Sequence, residues 1–366
     1  LGALTVVNKV NGPCFSSNDE ISCDIWAKCL AVICYYIFKK ASLEDMDSKS
    51  AAMEKMLMLN LKPNGSTIEK TLDSFRQLQI PKDFFSFAWF PWDDNKMHLL
   101  TIHMLKDTLD PQLAANDPLI VEFVLTVLNS YRRLPYHNFQ HAVVVTHCAY
   151  IILKTNPNLF DQIEVSAIMV SAICHDSDHL GMTNSFLMTT NHALSKLYEK
   201  SQLENRHYYL AAQLIQEMGL FQHLNSAEYG RLMDEIKYNI IATDLAVFLE
   251  RRRTIMNSMK RNASQLSVKQ NRLLMKSILM TACDLSSNCK PFSVVKEVIE
   301  KLCEEYYLQG DKEKELGLCP VGIMDRDLHS RLPEEEVNFY SAIVLPCYSL
   351  LTTLIPNTEP LYDGCL

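Results

Sequence analysis

The stretch Ala167-Ile168-Met169-Val170-Ser171-Ala172-Ile173-Cys174-His175-Asp176-Ser177-Asp178-His179 runs small and apolar residues straight into two histidines and two aspartates. Such a run predicts a buried helix, and a carboxylate at its end is costly to bury unless it is paired or bound to a metal. The same grammar appears twice more. His137-Asn138-Phe139-Gln140-His141 opens one apolar stretch, and Ile278 to Cys283 leads into a lone Asp284. Each histidine pair is spaced i, i+4, so on a helix both rings leave one face a turn apart. Imidazole and carboxylate together suit zinc, manganese or magnesium, the ions that activate water for hydrolysis. Spacing by itself leaves two readings open: a dinuclear metal site, or buried structural histidines.

Working outward, three-to-four-residue apolar recurrence predicts helices over Leu119 to Leu134, His141 to Lys154, Glu164 to Cys174, Ala227 to Arg252, Asn271 to Leu285 and Val294 to Leu308. Strand signals are few, so the large domain reads as all-α. The N-terminal end differs. Leu4-Thr5-Val6-Val7-Asn8-Lys9-Val10 alternates and stops at Asn11-Gly12-Pro13, a strand entering a turn, and a helix follows from about Ile21 to Lys40. Residues 41–72 read as a connecting helix and linker with a break at Pro63-Asn64-Gly65. No internal repeat or low-complexity tract is visible.

Composition narrows the partners. The 366 residues are 48% hydrophobic and 21% charged, ordinary for a soluble globular protein. A net charge of −8 argues against a nucleic-acid polymer, whose binding rests on clustered Lys and Arg. A small anion stays possible, because bound cations would dominate the local field. The twelve cysteines include no CxxC pair, and several lie in apolar runs as reduced thiols, which suits the cytoplasm. The longest apolar stretch, Ala342 to Ile355, is too short to span a bilayer and carries Pro346, so no membrane span is expected. His98, His103, His147, His192, His223 and His329 stand alone and read as ordinary core or surface histidines.

With these residues in place the chain resembles the class I 3′,5′-cyclic nucleotide phosphodiesterases. Tyr136-His137-Asn138-Phe139-Gln140-His141 is similar to their YHNxxH segment, and Cys174 to Asn184 to their HDxDHxGxxN segment. Ile241-Ala242-Thr243-Asp244-Leu245, Met280-Thr281-Ala282-Cys283-Asp284-Leu285 and Gln309-Gly310-Asp311 match three further stretches, in order. Met324-Asp325-Arg326-Asp327 and Leu345-Pro346-Cys347-Tyr348 look most like the type 10 branch. Asn8-Lys9, Phe15 and Asp19-Glu20 resemble the signature of GAF domains, which precede the catalytic domain in several of these enzymes. The resemblance implies three parts. Residues 1–40 would be the C-terminal remnant of an α/β GAF domain and 41–72 a linker. Residues 73–366 would be an all-α, HD-type catalytic domain lacking its final helix. A homodimer through the GAF and linker region is implied in the same way.

Residue by residue, the resemblance makes His141, His175, Asp176 and Asp284 ligands of zinc. Asp176 would bridge to a second ion, magnesium or manganese, whose waters His179, Glu204 and Thr243 help hold. His137 would protonate the departing 3′ oxygen, with Glu305 orienting it. Tyr136 forms wall, and Leu302 and Phe339 grip the purine. Two departures stand out. Leu180 occupies the place of an arginine, and Ser177 that of a bulky apolar residue. More important, Glu336 stands where the family reads the purine with glutamine. An ionised carboxylate only accepts hydrogen bonds, whereas the amide both donates and accepts. The expected activity is hydrolysis of cAMP, cGMP or both to 5′-monophosphates. Two alternatives share these residues: an HD-superfamily phosphohydrolase of another phosphate ester, and a catalytically weak, GAF-linked regulatory protein that Glu336 would explain.

Overall fold

Short polar side chains start most of the helices. In a computed structural model, which describes residues 61–260 and 268–366, Asn64, Asp93, Asn116 and Asn138 each accept a hydrogen bond from a backbone N–H of the first turn they precede. They open α1 (Gly65–Arg76), α2 (Asp94–Thr108), α3 (Asp117–Ser130) and α4 (Phe139–Thr155). Asp161 with Glu164, and Asn225 with Glu228, form reciprocal capping boxes for α5 (Gln162–Cys174) and, after α6 (Gln202–Glu217), for α7 (Ser226–Ile241). There follow α8 (Leu245–Lys260), α9 (Val268–Asp284), α10 (Phe292–Glu315), α11 (Leu332–Phe339) and α12 (Leu345–Leu354). No strand occurs among the described residues, and the domain is all-α.

The main unit comprises Leu61–Met182 and Leu203–Leu366. Thr183–Gln202 lies outside it and carries two short helices, Asn184–Thr189 and Ala193–Leu197. The strand and GAF-like segment read in residues 1–40 fall outside the described residues. Helix α1 begins within the stretch assigned to the linker and packs on α3.

Three helices make the centre. α4, α5 and α9 pack on one another, with α7 against α5 and α12 against α9. From Ser166 to Cys174 every residue of α5 is buried, and from Ala142 to Leu153 so is every residue of α4. Full burial all round explains why α5 reads as one continuous apolar run rather than a stripe. At the N-terminal end of α5, Glu164 accepts from Arg272 and Lys276 of α9, and Lys276 also reaches Glu235 of α7. This buried ion cluster ties the three helices together about 18 Å from Asp176, at 1.5 Å per residue.

Two expectations change. The helix expected over Ala227 to Arg252 is two helices. The chain breaks at Ala242-Thr243-Asp244, where Thr243 Oγ1 bonds back to Ile240 O and the Asp244 carboxylate accepts from the Ala246 N–H to start α8. Nor do the histidine pairs share helix faces. His137 precedes the N-cap Asn138, and His179 follows a tight turn in which Asp178 takes φ 58°. Arg326–Leu354 is a continuous helical run long and apolar enough to cross a membrane by length and composition. It joins a 3-10 turn, α11, a π turn and α12, which is longer than the apolar stretch alone, and α12 buries Cys347, Tyr348, Leu350 and Leu351.

Candidate metal centre and active site

The centre forms where the N-terminus of α4 meets the C-terminal ends of α5 and α9. Asn138 turns the chain there. Its Oδ1 accepts from the N–H groups of Gln140 and His141, while its Nδ2 donates to Leu134 O and Pro135 O. His141 therefore sits in the first turn of α4 and His137 just outside it. His175 is the C-cap of α5, with Asp176 beside it, and Asp284 is the last residue of α9.

Four side chains converge. His141 Nε2 and His175 Nε2 lie 3.2 Å apart. Asp284 Oδ1 is 2.9 Å from the first and 3.3 Å from the second. Asp176 Oδ2 is 3.5 Å and 3.2 Å from the same two nitrogens. A tetrahedral zinc with bonds of about 2.1 Å places its ligands about 3.4 Å apart along each edge, so these five distances fit a zinc-sized ion. The tautomer fits too. His175 Nδ1 lies 2.9 Å from Ala172 O, which can only accept, so Nδ1 carries the hydrogen and Nε2 faces the centre. Burial would raise both carboxylates. Hydrogen bonds from His141 and His175 outweigh it at Asp284 and bring it to about 2, and the His175 charge holds Asp176 well below the usual range. A buried and a half-buried carboxylate facing two buried imidazoles fit a cation site by donor chemistry as well as by distance.

A second group adjoins the first. Asp176, His179 and His207 bring ligand atoms within 4.8 Å of one another. His207 Nδ1 donates to Ser177 O at 2.7 Å, which leaves a buried Nε2 without a hydrogen-bond partner, 3.7 Å from Asp176 Oδ1. This histidine is the site residue that sequence reasoning missed. Its signal was available: Glu204 and His207 sit three apart on α6 and so share a face. Glu204 is half-buried there, and Thr243 is buried at the break between α7 and α8.

His137 lies beside both groups. Its Nδ1 is 2.5 Å from Glu305 Oε1 on α10, and the other oxygen of that carboxylate accepts from the N–H groups of Tyr136 and His137 at 3.1 Å each. Glu305 is 2% exposed, so it is no solvated carboxylate of a polar run. Burial alone would lower His137, but the Glu305 hydrogen bond and the surrounding aspartates raise it. His179 stacks on it at 3.9 Å, and burial together with the His137 charge holds His179 well below its usual value. His207 stacks on His179 at 5.6 Å and is pushed down to about 4 by burial. Along the stack, proton affinity is thus greatest at the His137 end. Gly181, at φ 68°, lets the chain turn under this stack; its N–H donates to His179 Nδ1, and a Cβ there would meet Leu134 at 3.0 Å.

The expected purine residues line α10 and α11. Tyr136 packs on His137 and His141, with ring centroids 4.8 Å and 4.6 Å away. Leu302 on α10 and Phe339 at the end of α11 are half-buried. Glu336 is half-buried on α11, close enough to Cys303 and Tyr306 of α10 for its charge to raise both, and its own carboxyl is raised by burial. At the departures, Leu180 is half-buried and Ser177 is buried with its hydroxyl unpaired. Asp178 ties Arg132 to Arg206 of α6, fixing the helix that carries His207.

Residues 136–365, most of the chain, match the family described as 3′5′-cyclic nucleotide phosphodiesterase. The chain belongs to that family. At 28% identity over its whole length it is similar to a protein named probable 3′,5′-cyclic phosphodiesterase pde-5 from Caenorhabditis elegans. It is 29% and 30% identical to proteins named dual 3′,5′-cyclic-AMP and -GMP phosphodiesterase 11, from Drosophila melanogaster, and 11A, from Takifugu rubripes, over 100% and 99% of its length. The chain spans 50%, 26% and 41% of these three relatives, and the matched region of the family contains all four converging side chains, His137 and Glu305.

Proposed function

We propose that this chain hydrolyses 3′,5′-cyclic nucleotides to 5′-monophosphates at the centre between α4, α5 and α9. The observation that carries this is the convergence of His141, His175, Asp176 and Asp284 beside a histidine whose proton is held by a buried carboxylate. His141, His175, Asp176 and Asp284 would hold zinc. Asp176 would share a second ion, magnesium or manganese, with His179, His207, Glu204 and Thr243 around it. Bound there, the two cations supply acidity to water and neutralise charge developing on the phosphoryl oxygens. The protein's own residues do the rest. His137 keeps Nδ1–H on Glu305, presents Nε2 to the pocket and gives its proton to the leaving 3′ oxygen. His179 keeps Nδ1 as the acceptor of the Gly181 N–H, so the neutral ring carries its hydrogen on Nε2 and donates from there. Tyr136, Leu302 and Phe339 enclose the base.

Glu336 sets the base preference. Burial raises the half-buried Glu336 carboxyl, and its protonated form can donate to N1 of adenine and accept from the amino group, a pairing that guanine, with N–H at N1, does not offer. The preference proposed is therefore for cAMP, with weaker base binding than a glutamine would give. The type 11 relatives are named for both nucleotides. Placement in the type 10 branch rests on Met324–Asp327 and Leu345–Tyr348, and the GAF remnant rests on residues 1–40. The test is kcat/KM on cAMP and cGMP, with zinc and magnesium supplied, for wild type and Glu336→Gln. A gain of about tenfold on cGMP in the variant supports the reading. Identical ratios in both proteins would sink the role of Glu336, and metal-loaded protein without turnover would favour a regulatory nucleotide-binding protein.

A further inference from the structure

Eight cysteines lie among the described residues, and one close pair of them has a thiol within reach of solvent. Cys289 Sγ and Cys365 Sγ are 3.3 Å apart. Cys148, Cys174, Cys283, Cys303 and Cys347 are buried, and Cys319 is exposed. Cys289 is buried at the end of the 3-10 turn Leu285–Cys289, which follows Asp284 directly; Cys365 is half-exposed. Their approach is built into the backbone. The short helix Glu359–Asp363 packs against that turn through buried Leu361, and Gly364 follows it. A Cβ on Gly364 would come within 2.6 Å of Cys289 O, so only glycine lets Cys365 reach this depth.

Cys365 also touches the turn that follows Asp284. Its Sγ donates to Asn288 O at 3.7 Å, and the same carbonyl accepts from Tyr340 OH at 3.1 Å, next to Phe339. We propose that Cys289 and Cys365 form an oxidisable dithiol that takes a hydroperoxide as its oxidant and reports its state to the base side of the site. Cys365, the accessible thiol, attacks the peroxide O–O bond to give a sulfenic acid and release an alcohol or water. The Cys289 thiol then attacks that sulfur, expelling water and forming the disulfide. The sulfurs need to close by about 1.3 Å to reach bonding distance. Two thiols lose two electrons and two hydrogens in the cycle, which the peroxide accepts. The disulfide has no S–H, so Asn288 O loses one of its two donors. The turn between Asp284 and Cys289 then shifts with respect to Tyr340 and Phe339.

The effect on the pocket rests on the cyclic-nucleotide reading, whereas the disulfide is read independently by mass. Wild type and Cys365→Ser are treated with hydrogen peroxide, alkylated and digested without reductant. The expected result is a Cys289–Cys365 linked peptide in wild type, abolished by dithiothreitol and absent from the variant. KM for the cyclic nucleotide should rise about fivefold in oxidised wild type, the loss expected for one hydrogen bond, and stay put in Cys365→Ser. Oxidation of Cys319 with Cys289 and Cys365 unlinked, or linkage of Cys365 to another cysteine, overturns the dithiol. A linked protein whose KM equals that of the reduced form overturns its coupling to the site.

Discussion

At the scale of single residues, the proposed function separates holding a metal from moving a proton. Asp284→Ala removes a carboxylate that faces both zinc-type histidines, so zinc content measured by atomic emission should fall together with activity. His137→Ala should lower kcat by about 10²- to 10⁴-fold, the usual worth of a general acid, with zinc retained. Loss of zinc from both variants would mean that His137 is a ligand. Glu305 gives a pH signature. Its carboxylate raises His137, so Glu305→Gln lowers the histidine pKa and moves the alkaline limb of the pH–rate profile to lower pH. His137 must be protonated to act, and its proton leaves as pH rises, so this limb is the one that moves. An unmoved limb with reduced kcat would leave Glu305 as a purely structural carboxylate.

Among the elements, the junctions carry more of the site than the helices do. Asp244→Ala removes the cap that restarts α8 after Thr243 and should cost about 1 kcal/mol, read from denaturant midpoints. Glu164→Ala leaves Lys276, 1% exposed, with Glu235 alone, and should cost about 3 kcal/mol. Because Glu164 is at the far end of α5, kcat of the folded fraction should stay at the wild-type value. The contrast explains what could be read from sequence. Helices α4, α5 and α9 were legible because burial leaves long apolar runs, and the four converging side chains were legible because each follows or precedes one. The break in Ala227 to Arg252 was not: Thr243 and Asp244 are ordinary helix-surface residues until their side chains bond to the backbone. The histidine pairs met for a reason different from the expected one, namely an Asn138 cap and a left-handed Asp178. His207 was passed over because no second histidine accompanies it and Glu204 lies a helical turn before it; its partner is Ser177 O, thirty residues away.

For the molecule as a whole, buried titratable groups set acid stability. His147 is fully buried with Nε2 on Phe84 O at 2.6 Å, and burial, helped by the Lys290 charge, pushes it from 6.5 down to about 3. The unfolded chain binds a proton that the folded one refuses, so stability falls as pH drops below about 6.5 and goes on falling to about 3. Glu164 adds to this at lower pH. Burial would raise it, but Arg272 and Lys276 bring it from 4.5 to about 2, so its contribution is whole above about 4.5 and is lost towards 2. Unfolding temperatures should therefore decline steadily from pH 7 to pH 4. His147→Gln, which keeps a donor for Phe84 O, should flatten the slope between pH 6.5 and 4.5; an unchanged slope would place the acid sensitivity elsewhere.

The four converging ligands also bear on how the chain reaches its fold. His141 and Asp284 are 143 residues apart, and no short segment contains the set. Their meeting must await the docking of α9 on α4 and α5, because long loops have to close before any of these contacts repays them. On the proposed reading, an ion captured there would act as a clasp across the finished core. Chelator should speed unfolding more than it slows refolding, since the clasp closes after the rate-limiting step.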